Sequence, residues 1–210
     1  MKKSPLSNSL PGRGALSFAK KRILKGKTLN LSNCNLQLDD EDYECNHLFV
    51  NFDQNIQTVE MNCNSIVILP KKLFSAQQIQ YVKTLHLVDN KLSKLPEALS
   101  QLHYLKEIKL AQNKFAQFPE VLFLLPNLKK LDLSNNLIES LPSEIAILSK
   151  LSSLNLSDNV IHKIPLSFAK LPSIKNIDFT NNPLLCPPLF MYLPFFFCEI
   201  FFLIFFGLIY

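Results

Sequence analysis

Val82, Leu105, Leu128, Leu151 and Ile174 stand 23 residues apart, and each opens a segment of the same design. The segments read "VKTLHLVDNKLSKLP", "LKEIKLAQNKFAQFP", "LKKLDLSNNLIESLP", "LSSLNLSDNVIHKIP" and "IKNIDFTNNPLLCPP". Apolar residues recur at fixed offsets and asparagine holds the ninth place. A looser copy, "IQTVEMNCNSIVILP", starts at Ile56, 26 residues before Val82. A more degenerate one, "GKTLNLSNCNLQL", starts at Gly26 and has Cys34 at the asparagine position. A strict period of this length severely restricts the fold. No single repeat can bury its own apolar face, so neighbours must stack and share one continuous core.

Each repeat contains an "LxL" element whose two apolar residues face one side of a short strand. One strand per repeat, laid side by side, builds a parallel sheet. The sharp turn after each strand leaves backbone groups pointing inward, away from water. Asn64, Asn90, Asn113, Asn136, Asn159 and Asn182 recur there, and an amide carries both donors and an acceptor to bridge successive turns. After each closing Leu-Pro comes a segment such as "PEALSQLHYL" or "PSEIAILSKL", in which proline suits the first helical position. Leu99 with Leu102, and Ile145 with Leu148, sit three apart and can face the core from one helical turn.

The pattern LxxLxLxxNxLxxLPxxLxxL resembles the leucine-rich repeat, over roughly residues 26–186. The Leu-Pro closure and the period of 23 are similar to the small intracellular Ras-suppressor and Scribble type. The resemblance implies an α/β leucine-rich repeat solenoid: curved, with a parallel concave sheet and short convex helices or 3₁₀ turns. It also implies a cytoplasmic protein-interaction scaffold with no established chemistry of its own.

On such a solenoid the variable strand positions face outward on the concave side. One column runs Asn30, Glu60, His86, Lys109, Asp132, Asn155, Asp178, and its neighbour Thr28, Thr58, Thr84, Glu107, Lys130, Ser153, Asn176. A third, just past the strand, runs Ser32, Asn62, Val88, Ala111, Ser134, Ser157, Thr180. Seven strands at about 4.8 Å spacing span roughly 30 Å, approaching the ~800 Å² per partner of a standard interface. The candidate partner-binding residues are Glu60, His86, Lys109, Lys130, Asp132, Ser134, Asn155, Asp158 and Asp178. They are polar, with acidity gathering at Asp132, Asp158 and Asp178. Few aromatic or arginine anchors accompany them, which points to a hydrogen-bonding, basic segment of a partner protein rather than an apolar helix. The expected state is a monomer.

Other chemistries find little support. His47, His86, His103 and His162 fall at unrelated offsets, without metal-ligand spacing. The run "LDDEDYE" at 38–44 reads as an exposed surface and lacks the turn glycine of a calcium loop. No nucleophile–base pair recurs and "PGRG" is not a phosphate loop, so the reading is non-enzymatic with no cofactor and no metal. Five scattered cysteines indicate a reducing compartment, and Cys63 is expected to be more accessible than Cys34. The sequons at Asn30 and Asn155 fall in predicted strands and read as products of the repeat.

Eight of the 22 basic residues lie at or before Lys27, leaving 14 against 17 acids in the body. Residues 1–25 are therefore read as a basic arm and capping segment, without a secretory signal and without a nucleic-acid motif. Residues 26–188 are the repeat domain of about seven repeats. Residues 189–210, "LFMYLPFFFCEIFFLIFFGLIY", hold eight of the 17 phenylalanines and one charge, Glu199. Three readings stay open for this tail: translated sequence beyond the last genuine exon, a membrane segment that tethers a cytoplasmic domain, or a hydrophobic end cap.

Overall fold

The computed structural model describes residues 24–25, 27–38, 56–75 and 79–185. The Phe-rich tail, most of the basic arm and the acidic run lie outside them. The described strands are β1 (Leu24–Lys25), β2 (Thr28–Asn30), β3 (Thr58–Glu60), β4 (Thr84–His86), β5 (Glu107–Lys109), β6 (Lys130–Asp132), β7 (Ser153–Asn155) and β8 (Asn176–Asp178). They form one open sheet in sequence order. From β2 to β8 every pairing is parallel, and the register aligns each repeat position with its counterpart: Asn30 with Glu60, Glu60 with His86, and so on to Asp178. This is the leucine-rich repeat solenoid, curved and unclosed, that the period demanded.

β1 is a feature the repeat pattern did not signal. It runs antiparallel to β2, with Leu24 opposite Leu29 and Lys25 opposite Thr28. A short hairpin strand there covers the first edge of the sheet, whose backbone groups would otherwise be unpaired.

Strands of three residues cannot hold together by backbone bonds alone; the shared core does that. The central strand residues Leu29, Val59, Leu85, Ile108, Leu131 and Leu154 are buried, as are Leu31, Met61, Leu87, Leu110, Leu133, Leu156 and Phe179 two positions on. Convex elements are 3₁₀ turns of five residues: Lys71–Ser75, Glu97–Gln101, Glu120–Leu124, Ser143–Ile147 and Leu166–Lys170. They are too short to propagate an α-helix. Leu99, Leu102, Ile145 and Leu148 face inward from them as their spacing requires.

The prolines sit one place earlier than expected. Pro96, Pro119, Pro142 and Pro165 are the residues before the turn, in extended backbone with φ between −73 and −69°. Their carbonyls accept the first turn bond, as from Leu99 N–H to Pro96 O at 3.0 Å. Proline's fixed φ suits that extended position, and its missing donor is again of no consequence.

The asparagine ladder is present as inferred. Asn113 Nδ2 donates to the carbonyls of Leu87, Leu110 and Ala111, and its Oδ1 accepts from Leu92 N–H at 3.0 Å. Asn64, Asn90, Asn136, Asn159 and Asn182 repeat the arrangement. Each amide thus joins its own turn to the preceding repeat.

The residue before each ladder asparagine has positive φ: Cys63, Asp89, Gln112, Asn135, Asp158 and Asn181 lie between 53 and 56°. Asparagine and aspartate tolerate this left-handed region; glutamine does so poorly. Gln112→Gly is therefore expected to stabilise the protein by about 0.5–1 kcal/mol, the relief of the Cβ clash less glycine's entropy cost. A rise in the urea unfolding midpoint at constant slope would show it.

Candidate functional site

The outward residues of β2–β8 form one polar band. Glu60, His86, Lys109, Asp132, Asn155 and Asp178 stand in a single row across the sheet, and Lys130 stands in the neighbouring row. Asp158 lies off both rows, in the exposed left-handed turn after β7, where its carboxylate accepts from Asn181 Nδ2 at 2.7 Å.

Ser134 departs from expectation. Its column is expected to face outward, yet it is 6% exposed, and Ala111 and Ser157 at the same position are buried too. The chain bends into the left-handed turn immediately afterwards, which tucks this position against the next repeat. Ser134 Oγ donates to Asp132 Oδ1 at 2.7 Å, and its N–H bonds the same oxygen at 3.1 Å. Its work is to brace the strand end. The same brace recurs wherever the last strand residue is Asn or Asp: Asn30, Asn155 and Asp178 each accept from the N–H two residues on. These side chains are therefore both surface groups and turn caps.

Glu107 was in the neighbouring column but not among the candidates, and it proves to be the hub of the band. His86 Nε2 lies 3.3 Å from its Oε1, Lys109 Nζ 3.6 Å from the same oxygen, and Lys130 Nζ 3.6 Å from Oε2. His86 Nδ1 in turn lies 3.9 Å from Glu60, whose carboxylate accepts from Asn30 Nδ2 at 2.7 Å. A continuous polar chain thus crosses β2 to β6. Partial burial alone would push the Glu107 carboxyl up. The His86 hydrogen bond and the charges of Lys130, Lys109 and His86 outweigh that and hold it below its ordinary value.

A folded-state value below the unfolded one means that this network stabilises at neutral pH. The contribution fades as pH falls through the folded value. Glu107→Gln should cost under about 1 kcal/mol at neutral pH, as befits a partly solvated cluster. The difference from the parent protein should vanish on acidification, as urea unfolding in both conditions would reveal.

The band presents charged and hydrogen-bonding groups on one face of the sheet. Among the described residues no group of three His, Cys, Asp or Glu side chains is placed to hold a metal ion. An interior void of about 10 Å³, lined by apolar residues including Met61, Phe74 and Leu87, is too small for a ligand. Cys63 is more exposed than Cys34, as expected. Desolvation, with the Asp89 carboxylate beside it, pushes the Cys63 thiol up, away from the thiolate a nucleophile needs.

Comparison with known proteins agrees with this architecture. Residues 126–184 match the family model described as leucine rich repeat. A leucine-rich repeat protein of Leptospira interrogans superposes with TM-score 0.63 at 29% identity, over 73% of this chain and 36% of that one. The plant peptide hormone receptor RGFR1, solved in complex with RGF2, superposes with TM-score 0.51 at 28% identity, over 61% of this chain and 21% of that one. The chain spans about a third and a fifth of the lengths of these two structures. No curated protein matches it. With the asparagine ladder, the parallel register and the matched repeats in agreement, the chain has the leucine-rich repeat fold.

Proposed function

We propose that the chain is a non-enzymatic adaptor that docks a partner protein on the concave face of its repeats. The observation that carries this is the single uncovered side of the sheet, where seven strands hold polar residues in register. The fold serves generally as a protein-interaction module, and the receptor structure reported above is a complex. Residues Glu60, His86, Lys109, Lys130, Asp132, Asn155 and Asp178 are the proposed contacts, with Asp158 at the rim and Ser134 as a brace behind Asp132. The finer assignment is to the small intracellular Ras-suppressor and Scribble type, most like leucine-rich repeat-containing protein 20, acting as a cytoplasmic, monomeric scaffold in signalling. A basic segment of the partner suits the region around Asp132 and Asp178.

The test uses Lys109→Gln with Asp132→Asn and Asp178→Asn. Asparagine already fills the aspartate position in β2 and β7 with the same brace, so this triple variant removes charge and keeps the turns. It should retain the parent's thermal midpoint and lose at least tenfold in affinity for partners captured by the parent protein. Equal capture of every partner would show that docking occurs elsewhere.

A second reading is favoured by the tail: residues 189–210 carry one charge in 22 positions, and a membrane tether would display the same adaptor at a bilayer. No helix among the described residues is long and apolar enough to cross a membrane, and the tail lies outside them. Carbonate extraction of expressed protein separates the two readings.

A further inference from the structure

The second position of the repeats forms a column distinct from the concave rows. Its members are Lys27, Gln57, Lys83, Lys106, Lys129, Ser152 and Lys175. Consecutive backbone bonds stack them: Lys106 N–H donates to Lys83 O at 2.8 Å, Lys129 N–H to Lys106 O at 2.8 Å, Ser152 N–H to Lys129 O at 2.8 Å, and Lys175 N–H to Ser152 O at 2.9 Å. Five lysines thus line the edge at which the strands begin, spaced by multiples of about 4.8 Å. Lys106, Lys129 and Lys175 are exposed; Lys83 is half-buried, with Nζ 3.1 Å from Gln57 Oε1.

Like charges stacked at strand spacing repel, and little along this edge offsets them. The segments 80–84, 103–107, 126–130, 149–153 and 172–176 hold six lysines against one acid, Glu107. The opposite edge is mixed, with Lys91, Lys94, Lys114 and Lys163 interleaved with Asp89, Glu139 and Asp158. The charge is therefore concentrated on one side of the solenoid.

Apolar groups accompany it. Tyr104, in the loop leading into β5, is 52% exposed, and its ring centroid lies 5.6 Å from that of Tyr81, its counterpart before β4. Leu124 and Ile147, the last residues of successive 3₁₀ turns that lead towards this edge, are 58% and 59% exposed. Tyrosines and aliphatic side chains among lysines suit the boundary between headgroups and acyl chains. The described residues contain no arginine, the side chain that reads phosphate or carboxylate by paired, directed bonds. Lysines act as point charges and suit a diffuse anionic field.

We propose that this strand-start edge docks on the anionic surface of a lipid bilayer, leaving the concave face open to a partner. The inference does not rest on the concave-face reading or on the tail, and either could fail without it. Each lysine near such a surface contributes about 1 kcal/mol, screened by salt.

The test measures binding of the full chain to vesicles of phosphatidylcholine alone and to vesicles containing phosphatidylserine, at low and high salt. The ratio of the two affinities removes any contribution of the hydrophobic tail, which would act on both. Lys106→Gln with Lys129→Gln should lower that ratio by about 30-fold, the loss of two lysines. Lys91→Gln with Lys114→Gln removes the same charge from the other edge and should lower it by less than threefold. Thermal midpoints of both variants exclude unfolding as the cause. Equal losses in the two pairs would reduce the effect to net charge and overturn the proposal. So would a parent protein with no preference for anionic vesicles, including one that binds RNA through these lysines instead.

Discussion

Asn136→Ala is expected to destabilise the protein by roughly 1–3 kcal/mol. The Asn136 amide makes four bonds: Nδ2 to the carbonyls of Leu110, Leu133 and Ser134 at 3.0, 3.0 and 3.1 Å, and Oδ1 from Phe115 N–H at 3.1 Å. The four partners do not lose equally. Leu110 O keeps the Asn113 amide, Leu133 O keeps the Asn159 amide, and Ser134 O keeps Gln112 N–H. Phe115 N–H has no such second partner among these bonds and is left buried and unsatisfied, so the cost concentrates there. Asn136→Asp tests this division of labour. It retains an acceptor for Phe115 N–H but turns a carboxylate oxygen towards three carbonyls. Burial beside those carbonyls raises the carboxyl's folded-state value, so the penalty is present at neutral pH and relieved as pH falls and the group protonates. Asn182→Ala, at the last and less buried ladder position, should cost less than Asn136→Ala. Urea unfolding of the four proteins, with Asn136→Asp repeated at acid pH, checks the order.

The contrast between Asn136 and its neighbour Asn135 shows what was legible in the sequence. Asn136 belongs to a place that asparagine fills in six successive repeats, so its role followed from the period and from the need to satisfy inward-facing backbone. Asn135 is exposed, and nothing in the sequence marks its conformational task. Its counterparts are Cys63, Asp89, Gln112, Asp158 and Asn181, and a position filled by such different side chains does not announce a left-handed backbone. Ser134 was misplaced for a related reason: alternation along a strand holds only while the strand lasts, and the chain turns just there. The importance of Glu107 comes from residues in three repeats, His86, Lys109 and Lys130, and pairing across repeats depends on side-chain reach, which spacing does not encode. The lysine column was in plain view, since "VK", "LK", "LK" and "IK" open four of the five regular repeats. Its meaning lies in the stacking, which sets those lysines along the strand-start edge rather than on the concave face. β1 had no such signal, lying before the first repeat.

Phe115→Ala should be the most damaging single truncation proposed here, at about 3–5 kcal/mol, whereas Phe115→Leu should cost less than about 1.5 kcal/mol. Phe115 is fully buried, and so are its counterparts Leu36, Ile66, Leu92, Ile138 and Ile161, while Leu184 in the last repeat is partly buried. The backbone of this solenoid therefore accepts a four-carbon side chain at that depth in five other repeats. Leucine can fill the position and leave a small residual void; alanine cannot. The same repeat carries Phe118 and Phe123, stacked with centroids 5.3 Å apart, so its core is aromatic where its neighbours are aliphatic. Those rings limit collapse around an alanine, which places the expected cost in the upper part of the range. Each repeat contacts only its neighbours, so the weakness should be local in space. Hydrogen exchange in Phe115→Ala should accelerate across β4, β5 and β6, with β8 the least affected. Uniform acceleration across all strands would mean instead that the repeats unfold as a single cooperative unit, with no nearest-neighbour boundary at the fifth strand.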